Sequence, residues 1–407
     1  MKVLMVLPEC PYPAENGPRN HAMGLLRLAS SHNSVDVIGF YEGQGGRRRW
    51  EHWACEDVGA RLIGLVPERQ GIRLALATAG AILSCRPAIT GRYHGCFGVD
   101  PGLYDVLHLD TFKTLCACRR LCALLPSVLV PHDAYSRNFR LLRQSQSRMR
   151  QRLRAAVREI AFNRMERYDY HPVTVLAPAS EIDADQFRTI RPPESIQVVG
   201  IPVLGARKNR DSSGQDGIAH VVVCGVFAVD AIARDCERYV LDCIPDIQRA
   251  FPNTRHSIWG KGAPPGLLRA IARAPNTEYR AWVDDYESFL RSASVYVYPQ
   301  SYSGGIQTKV QQAMKHGIPV VARPSVLAAL GDAKGVAGLR CPGVSDMAAA
   351  VNSLLASAEM RSLVGRRGED YLWRMYRPQR VRAQLQHAYE AACRAFGRRV
   401  MKRGERV

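Results

Sequence analysis

The chain has 407 residues, 46% hydrophobic and 23% charged, with a formal charge of +19 at neutral pH. Such a length buries a sizeable core and fits two domains, and the composition is that of a folded globular protein rather than a disordered one. No apolar run approaches the ~20 residues that span a bilayer. The twelve cysteines contain no Cys-x-x-Cys pair, so neither a zinc knuckle nor a disulfide framework is indicated and a cytoplasmic location is expected.

In chain order, residues 3–7 read as a first buried strand, about 19–30 as a helix and 35–40 as a second strand. The Gly- and Arg-rich stretch 41–71 yields only a strand at 61–66. A strand at 106–109, a helix over 114–124 and a strand at 127–130 follow, the last ending at Pro131-His132-Asp133. A long basic helix or helix pair spans about 137–168, where ten arginines face two acids, Glu159 and Glu166. A strand at 173–177 precedes Ser180-Glu-Ile-Asp183, which fits a helix start with a capping serine and acids at the positive helix end. Residues 205–217 are polar, Gly-rich and read as a linker. Strands are then expected at 219–224, 256–259, 278–281, 294–298 and 318–322, with helices between. A last helical stretch, about 379–396, has no strand after it.

Strict alternation of strand and helix means mainly parallel sheets covered on both faces. The expected fold is therefore α/β, with two Rossmann-like domains whose parallel sheets face a central cleft. The first would occupy 1–204, the linker 205–217 and the second domain 218–378. The helix and basic tail at 379–407 could pack back on the first domain.

The segment 298–322 carries the sharpest chemistry. A strand runs into a loop with Gly304 and Gly305, and then into a helix expected from Ile306 to about His316, closed by Gly317. Paired glycines admit a ligand close to the backbone, and first-turn amides attract anions. Lys309 adds a full positive charge. The unit reads as a diphosphate cradle, and an ordinary crossover with a tight turn is the simpler alternative.

Several stretches together carry a resemblance. The opening Lys2-Val-Leu-Met-Val-Leu-Pro8, followed by Asn16-Gly-Pro-Arg-Asn20, Val128-Leu-Val-Pro-His-Asp133, Ala177-Pro-Ala-Ser-Glu-Ile-Asp183, Gly260, Tyr279-Arg-Ala-Trp-Val-Asp284 and the 298–322 unit come in one order and spacing. They resemble a GT-B glycosyltransferase of group 1, the family 4 type, over nearly the full length. Two departures stand out. Pro18 replaces the second glycine of the family's first loop. Gly304 and Gln312 stand where the family carries its paired glutamates, with a Gly-Gly-x-x-x-Lys loop in place of the first. A glutamine carbonyl still accepts hydrogen bonds from ribose hydroxyls.

The resemblance implies transfer of a sugar from a nucleoside-diphosphate donor, with no cofactor beyond that substrate and no required metal. His132 would contact the donor sugar. Lys309, with the amides of Gly305, Ile306, Gln307 and Thr308, would hold the diphosphate, and Gln312 the ribose. Trp282 and Val283 would hold the base, with core packing as the alternative for Trp282. Gly225, Arg234 and Lys261 stand in for the family's Gly-Arg and Lys pair. Gly17 and Arg19 would face the acceptor, as would Asp133, which could equally cap the next helix. Asp284 and Asp285 read as a solvated loop and His21 as structural. Leaving-group stabilisation would be the main catalytic effect, since the diphosphate gains charge as the anomeric bond breaks.

The acceptor would be a carbohydrate, a lipid-linked sugar or a small molecule, in polysaccharide, glycolipid or glycosylated natural-product assembly. The basic 137–167 stretch suits an anionic membrane surface, which would make the protein peripheral on the inner face of the cell membrane. Aromatics are not interleaved with the arginines, so nucleic acid is not the expected partner. Rival readings are a sugar-nucleotide epimerase or phosphorylase on the same architecture, a non-catalytic homologue, and a basic nucleic-acid binder.

Overall fold

The computed structural model describes residues 1–404 apart from 15, 54–57, 96–97, 147, 206, 208–217, 302–303 and 333, with side chains up to residue 398. The expected linker lies outside the described residues except for Gly205 and Arg207. Among the described residues twelve strands form two six-stranded sheets, all pairs parallel.

The first sheet has the order β3-β2-β1-β4-β5-β6, from β1 (Lys2–Leu7), β2 (Ser34–Tyr41), β3 (Ala60–Pro67), β4 (Val106–Asp110), β5 (Ser127–Val130) and β6 (Val175–Leu176). Its centre is β1, with Val3 opposite both Val35 and Val106. Side chains alternate across a strand, and β1 is apolar on both faces. Val3, Met5 and Leu7 enter one core with the Gly17–Ser30 helix, while Leu4 and Val6 enter the other.

The second sheet runs β12-β11-β10-β7-β8-β9, from β7 (His220–Cys224), β8 (Arg255–Trp259), β9 (Thr277–Arg280), β10 (Val295–Tyr298), β11 (Val320–Ala322) and β12 (Leu339–Arg340). Here too the central strand is split, Val221 and Val223 to one core and Val222 and Cys224 to the other.

By packing, Met1–Arg143, Arg150–Pro202 and Pro378–Val407 form one compact unit, and Gln144–Met149 with Val203–Arg377 the other. The helix Pro378–Gly404 thus lies on the first unit, where Val381, Leu385, Ala388, Tyr389 and Ala392 are buried.

The basic region takes the helix-pair form, Tyr135–Ser145 and Met149–Arg164. Other elements differ from the sequence reading. Helix Gly43–Trp53 lies within the stretch 41–71, and helix Gly71–Leu83 follows directly after it. The helix expected from Ile306 starts at Thr308, because Gln307 is extended (φ −88°, ψ 99°). Finally, β12 has two residues, too few to leave a sequence signal.

Candidate active site

In the second unit the loops after β10, β7, β8 and β9 leave neighbouring strands at their carboxyl ends. These are the edges where open parallel sheets hold ligands. Glycine is required in the loops after β7 and β8 by the protein itself. A Cβ on Gly260 (φ +145°) would lie 1.8 Å from the Gly225 carbonyl oxygen, and one on Gly225 would lie 2.6 Å from the Phe227 ring. Packing against Phe227 by itself requires a glycine at 225, at the carboxyl end of β7 where the donor was expected. Arg234 forms an ion pair with Asp230 at 3.7 Å, one turn away, so it is not an unengaged cation.

The loop after β10 is tightly held. The buried Gln300 side chain donates to the Cys224 carbonyl at 2.9 Å. The Ser301 amide and hydroxyl both donate to Asp235, at 2.7 and 2.6 Å. Tyr298 donates its hydroxyl hydrogen to Gln307 Oε1 at 2.5 Å, and Gln307 Nε2 donates to the Gly305 carbonyl at 3.2 Å. Gly304 and Gly305 are buried and Ile306 half-buried beneath this loop.

The helix Thr308–Lys315 begins there, and the amides of Thr308 and Lys309 are its first two, which have no intrahelical acceptor by position. It closes at Gly317, whose φ of +62° is the left-handed conformation expected after a helix.

Lys309 occupies an unusual environment. Its ammonium sits 4.3 Å from the ring centroid of Trp259, which is itself stacked on Tyr286 at 4.7 Å. Burial pushes its pKa below the ordinary lysine value. Among the described residues no carboxylate lies within ion-pair distance of it. A desolvated cation with a π-face on one side and no counter-charge favours an anion. Gln312 lies one turn on, three residues from Lys309 and four from Thr308, on the same helix face.

Lys261 lies 4.5 Å over the ring of Trp282, which is 51% exposed. This exposure overturns core packing as the explanation of Trp282. Val283 beside it is half-buried. Asp284 is exposed and Asp285 caps the helix Tyr286–Arg291 through the Ser288 amide. Among the described residues no three His, Cys, Asp or Glu side chains gather as a metal site.

In the first unit, the carboxyl ends of β4 and β5 bring Asp110 and His132 together. His132 has φ +66° and Thr111 φ +64°, both in a region that non-glycine residues seldom occupy. His132 Nε2 is 2.7 Å from Asp110 Oδ1, both side chains being largely buried. Burial alone would lower the His132 pKa, but the charge and hydrogen bond of Asp110 outweigh it and raise it. Asp110 is held below the carboxylate range, its burial being outweighed by His132. The His21 ring lies 4.7 Å from that of His132, and burial followed by the His132 charge lowers its pKa to about 3. His108 contacts Tyr389 at 2.8 Å and is lowered by burial to about 4.

At the start of the Tyr135–Ser145 helix, Asp183 accepts from the Ala134 amide at 3.1 Å and Glu166 from the Ser136 amide at 2.9 Å. Asp133 is half-buried beside His132 and meets the same helix through the Asn138 side chain. Arg19 is engaged with Glu9, at 2.7 and 2.8 Å, and its amide is capped by Asn16. It is therefore an anchored side chain rather than an open acceptor contact. Gly17 is the first residue of its helix.

Asp110, Trp259, Tyr298 and Gln300 escaped the sequence reading. The one available signal was an aspartate ending the strand 106–110, immediately before the helix that follows it.

Residues 220–357 match the family model for group 1 glycosyl transferases. The match lies within the second unit and spans its whole sheet, β7 to β12. No curated protein sequence matches the chain.

Solved structures of the same fold cover almost all of it. HepE of Anabaena, in complex with UDP, is 14% identical over 96% of this chain and 100% of that one, with a TM-score of 0.61. A mutant TarM of S. aureus, in complex with Fondaparinux, alpha-GlcNAc-glycerol and UDP, is 9% identical over 95% and 99%, with a TM-score of 0.63. Sucrose-phosphate synthase from Thermosynechococcus elongatus is 12% identical over 96% and 98%, with a TM-score of 0.62. The two sheets are thus those of the GT-B fold. The span matched by the family model contains β7 to β12 and every candidate donor residue from Gly225 to Gln312.

Proposed function

We propose that this protein transfers a sugar, with retention, from a nucleoside-diphosphate donor to an acceptor in polysaccharide, glycolipid or glycosylated natural-product assembly. The observation that carries the reading is Lys309: a buried ammonium with no carboxylate at ion-pair distance among the described residues, at the first turn of the helix after β10, inside the span that matches group 1 glycosyl transferases. Structures of the same fold hold UDP, UDP-glucose and a glycosylated glycerol, which supports a nucleotide sugar and a hydroxyl acceptor.

As the anomeric bond breaks, negative charge grows on the departing diphosphate. Lys309 and the amides of Thr308 and Lys309 are already oriented and desolvated, so they stabilise that charge without reorganising. By this reading the leaving group needs no divalent ion. Gln312 accepts from the ribose and Trp282 stacks on the base, with Lys261 beside it. His132, fixed through Nε2 by Asp110, presents Nδ1 to the donor sugar, and Asp133 receives the acceptor hydroxyl.

Thermal melting with a panel of nucleoside diphosphates tests the donor site. One base should raise the melting midpoint, and UDP is the first to try. The rise should vanish in Lys309→Ala and persist with a chelator present. A full shift in Lys309→Ala would overturn the assignment. Turnover of donor with no acceptor present would replace transfer by epimerisation.

A further inference from the structure

Two helices of the first unit present apolar surface that the fold does not cover. In Gly71–Leu83, Ile72 is 80% and Leu83 86% exposed, Leu76 and Ile82 are also exposed, and only Ala81 is buried. In Met149–Arg164, Ala155 and Phe162 face the core, while Leu153, Val157 and Ile160 face outward, Leu153 at 65% and Ile160 at 63% exposure. Spacings of four and three make these a single stripe. Arg150, Arg154 and Arg158 run along one side of it and Arg152 lies on the other, all exposed.

The ends of the two helices meet at Asp169. It accepts from Arg86 at 2.7 Å and Arg119 at 2.8 Å, with Arg164 at 3.8 Å. A groove of about 1580 Å³ opens beside them, with Arg69, Arg119, Arg120, His94 and His171 among its walls. The acids nearby are all engaged: Glu159 with Arg140 and Arg143, Glu166 with Ser136, and Asp169 with its arginines.

We infer that this face docks on an anionic lipid surface, with Leu153, Val157, Ile160, Ile72, Leu76 and Leu83 entering the headgroup region and the arginines binding lipid phosphates. Charge alone could not distinguish lipid from any other polyanion; the aliphatic stripe does. A nucleic acid would satisfy the arginines and leave the aliphatic side chains in water, with no aromatic platform for bases. A second copy would bring its own +19 charge to a face whose acids, among the described residues, are already engaged by its own arginines. Apolar patches ringed by basic side chains are met on both counts by a bilayer interface. The inference is independent of the donor chemistry in the second unit.

Flotation of the full-length protein with phosphatidylcholine vesicles, with and without phosphatidylglycerol, tests it. Binding should require phosphatidylglycerol. L153D/V157D and I72D/L76D should each weaken it at least about tenfold, since each removes buried aliphatic surface. R150Q/R154Q should lose about fivefold per arginine. All substituted side chains are solvent-exposed, so melting midpoints should stay at the wild-type value and confirm folding. Equal binding to both vesicle types overturns the inference. So does RNA binding, or self-association, that the aspartate variants alter while vesicle binding stays the same.

Discussion

His132 combines a strained backbone with a fixed, charge-paired ring. Its left-handed backbone costs about 1–3 kcal/mol, and Asp110 on the neighbouring strand end fixes the ring. The pKa of His132 is raised, so its contribution to stability is complete below the unfolded value near 6.5 and is lost as pH rises through the folded value. Asp110→Asn removes the main charge that opposes burial and leaves only the weaker effect of Asp133 against it, so the His132 pKa should fall. Titration of the His132 ring protons by NMR reads this directly, and an unchanged pKa would sink the pairing. In the same variant the nucleotide-induced melting shift should survive while turnover drops by about 10²-fold, because the proposed function places donor binding on Lys309 and sugar orientation on His132.

At the scale of elements, the Pro378–Gly404 helix holds the first unit together although it comes last in the chain. Its buried residues 381, 385, 388, 389 and 392 form one stripe, and the Tyr389 hydroxyl meets His108 inside the core. Leu385→Ala should lower the stability of the first unit by about 3 kcal/mol in urea unfolding; a loss confined to the second unit would contradict this packing. The strands were readable in the sequence because runs such as His220–Cys224 are short, apolar and β-branched. The helix Gly43–Trp53 was not readable. It has three glycines, which disfavour a helix, and it is anchored mainly by Trp50 and Trp53. Trp50 fits only because Gly39 has no side chain: a Cβ there would lie 2.3 Å from the indole, which donates to the Phe40 carbonyl. The helix Gly71–Leu83 is apolar around most of its circumference, so it shows no period. For the site, the loop, Lys309 and His132 were visible as local motifs. Their partners were not, since Trp259 is fifty residues from Lys309 and Asp110 is paired with His132 across the sheet.

At the scale of the whole molecule, buried titratable groups are distributed unevenly between the two units, and this makes the units respond differently to acid. In the second unit, burial lowers His220 to about 4 and His256 to about 3. Their unfolded forms take up protons below about pH 6.5 that the folded forms refuse, so stability falls with pH from there down to the folded values. Each histidine contributes a slope of about 1.4 kcal/mol per pH unit, about 3 for the pair. The first unit carries His21 and His108 with the same sign, but also Glu166 and Asp183, both raised to about 7 chiefly by burial. A carboxylate with a raised folded value binds its proton more readily when folded, so these two add stability as pH falls from about 7 towards 4.5. Over that window the two pairs offset one another, and His132 and Asp133, both raised, add to the acid side. Hydrogen exchange at pH 7 and pH 5 should therefore show β7, β8 and β10 losing protection while β1, β4 and β5 keep theirs. Equal loss in both sheets, or earlier loss in the first, would mean that the buried histidines of the second unit are not held neutral as their packing requires.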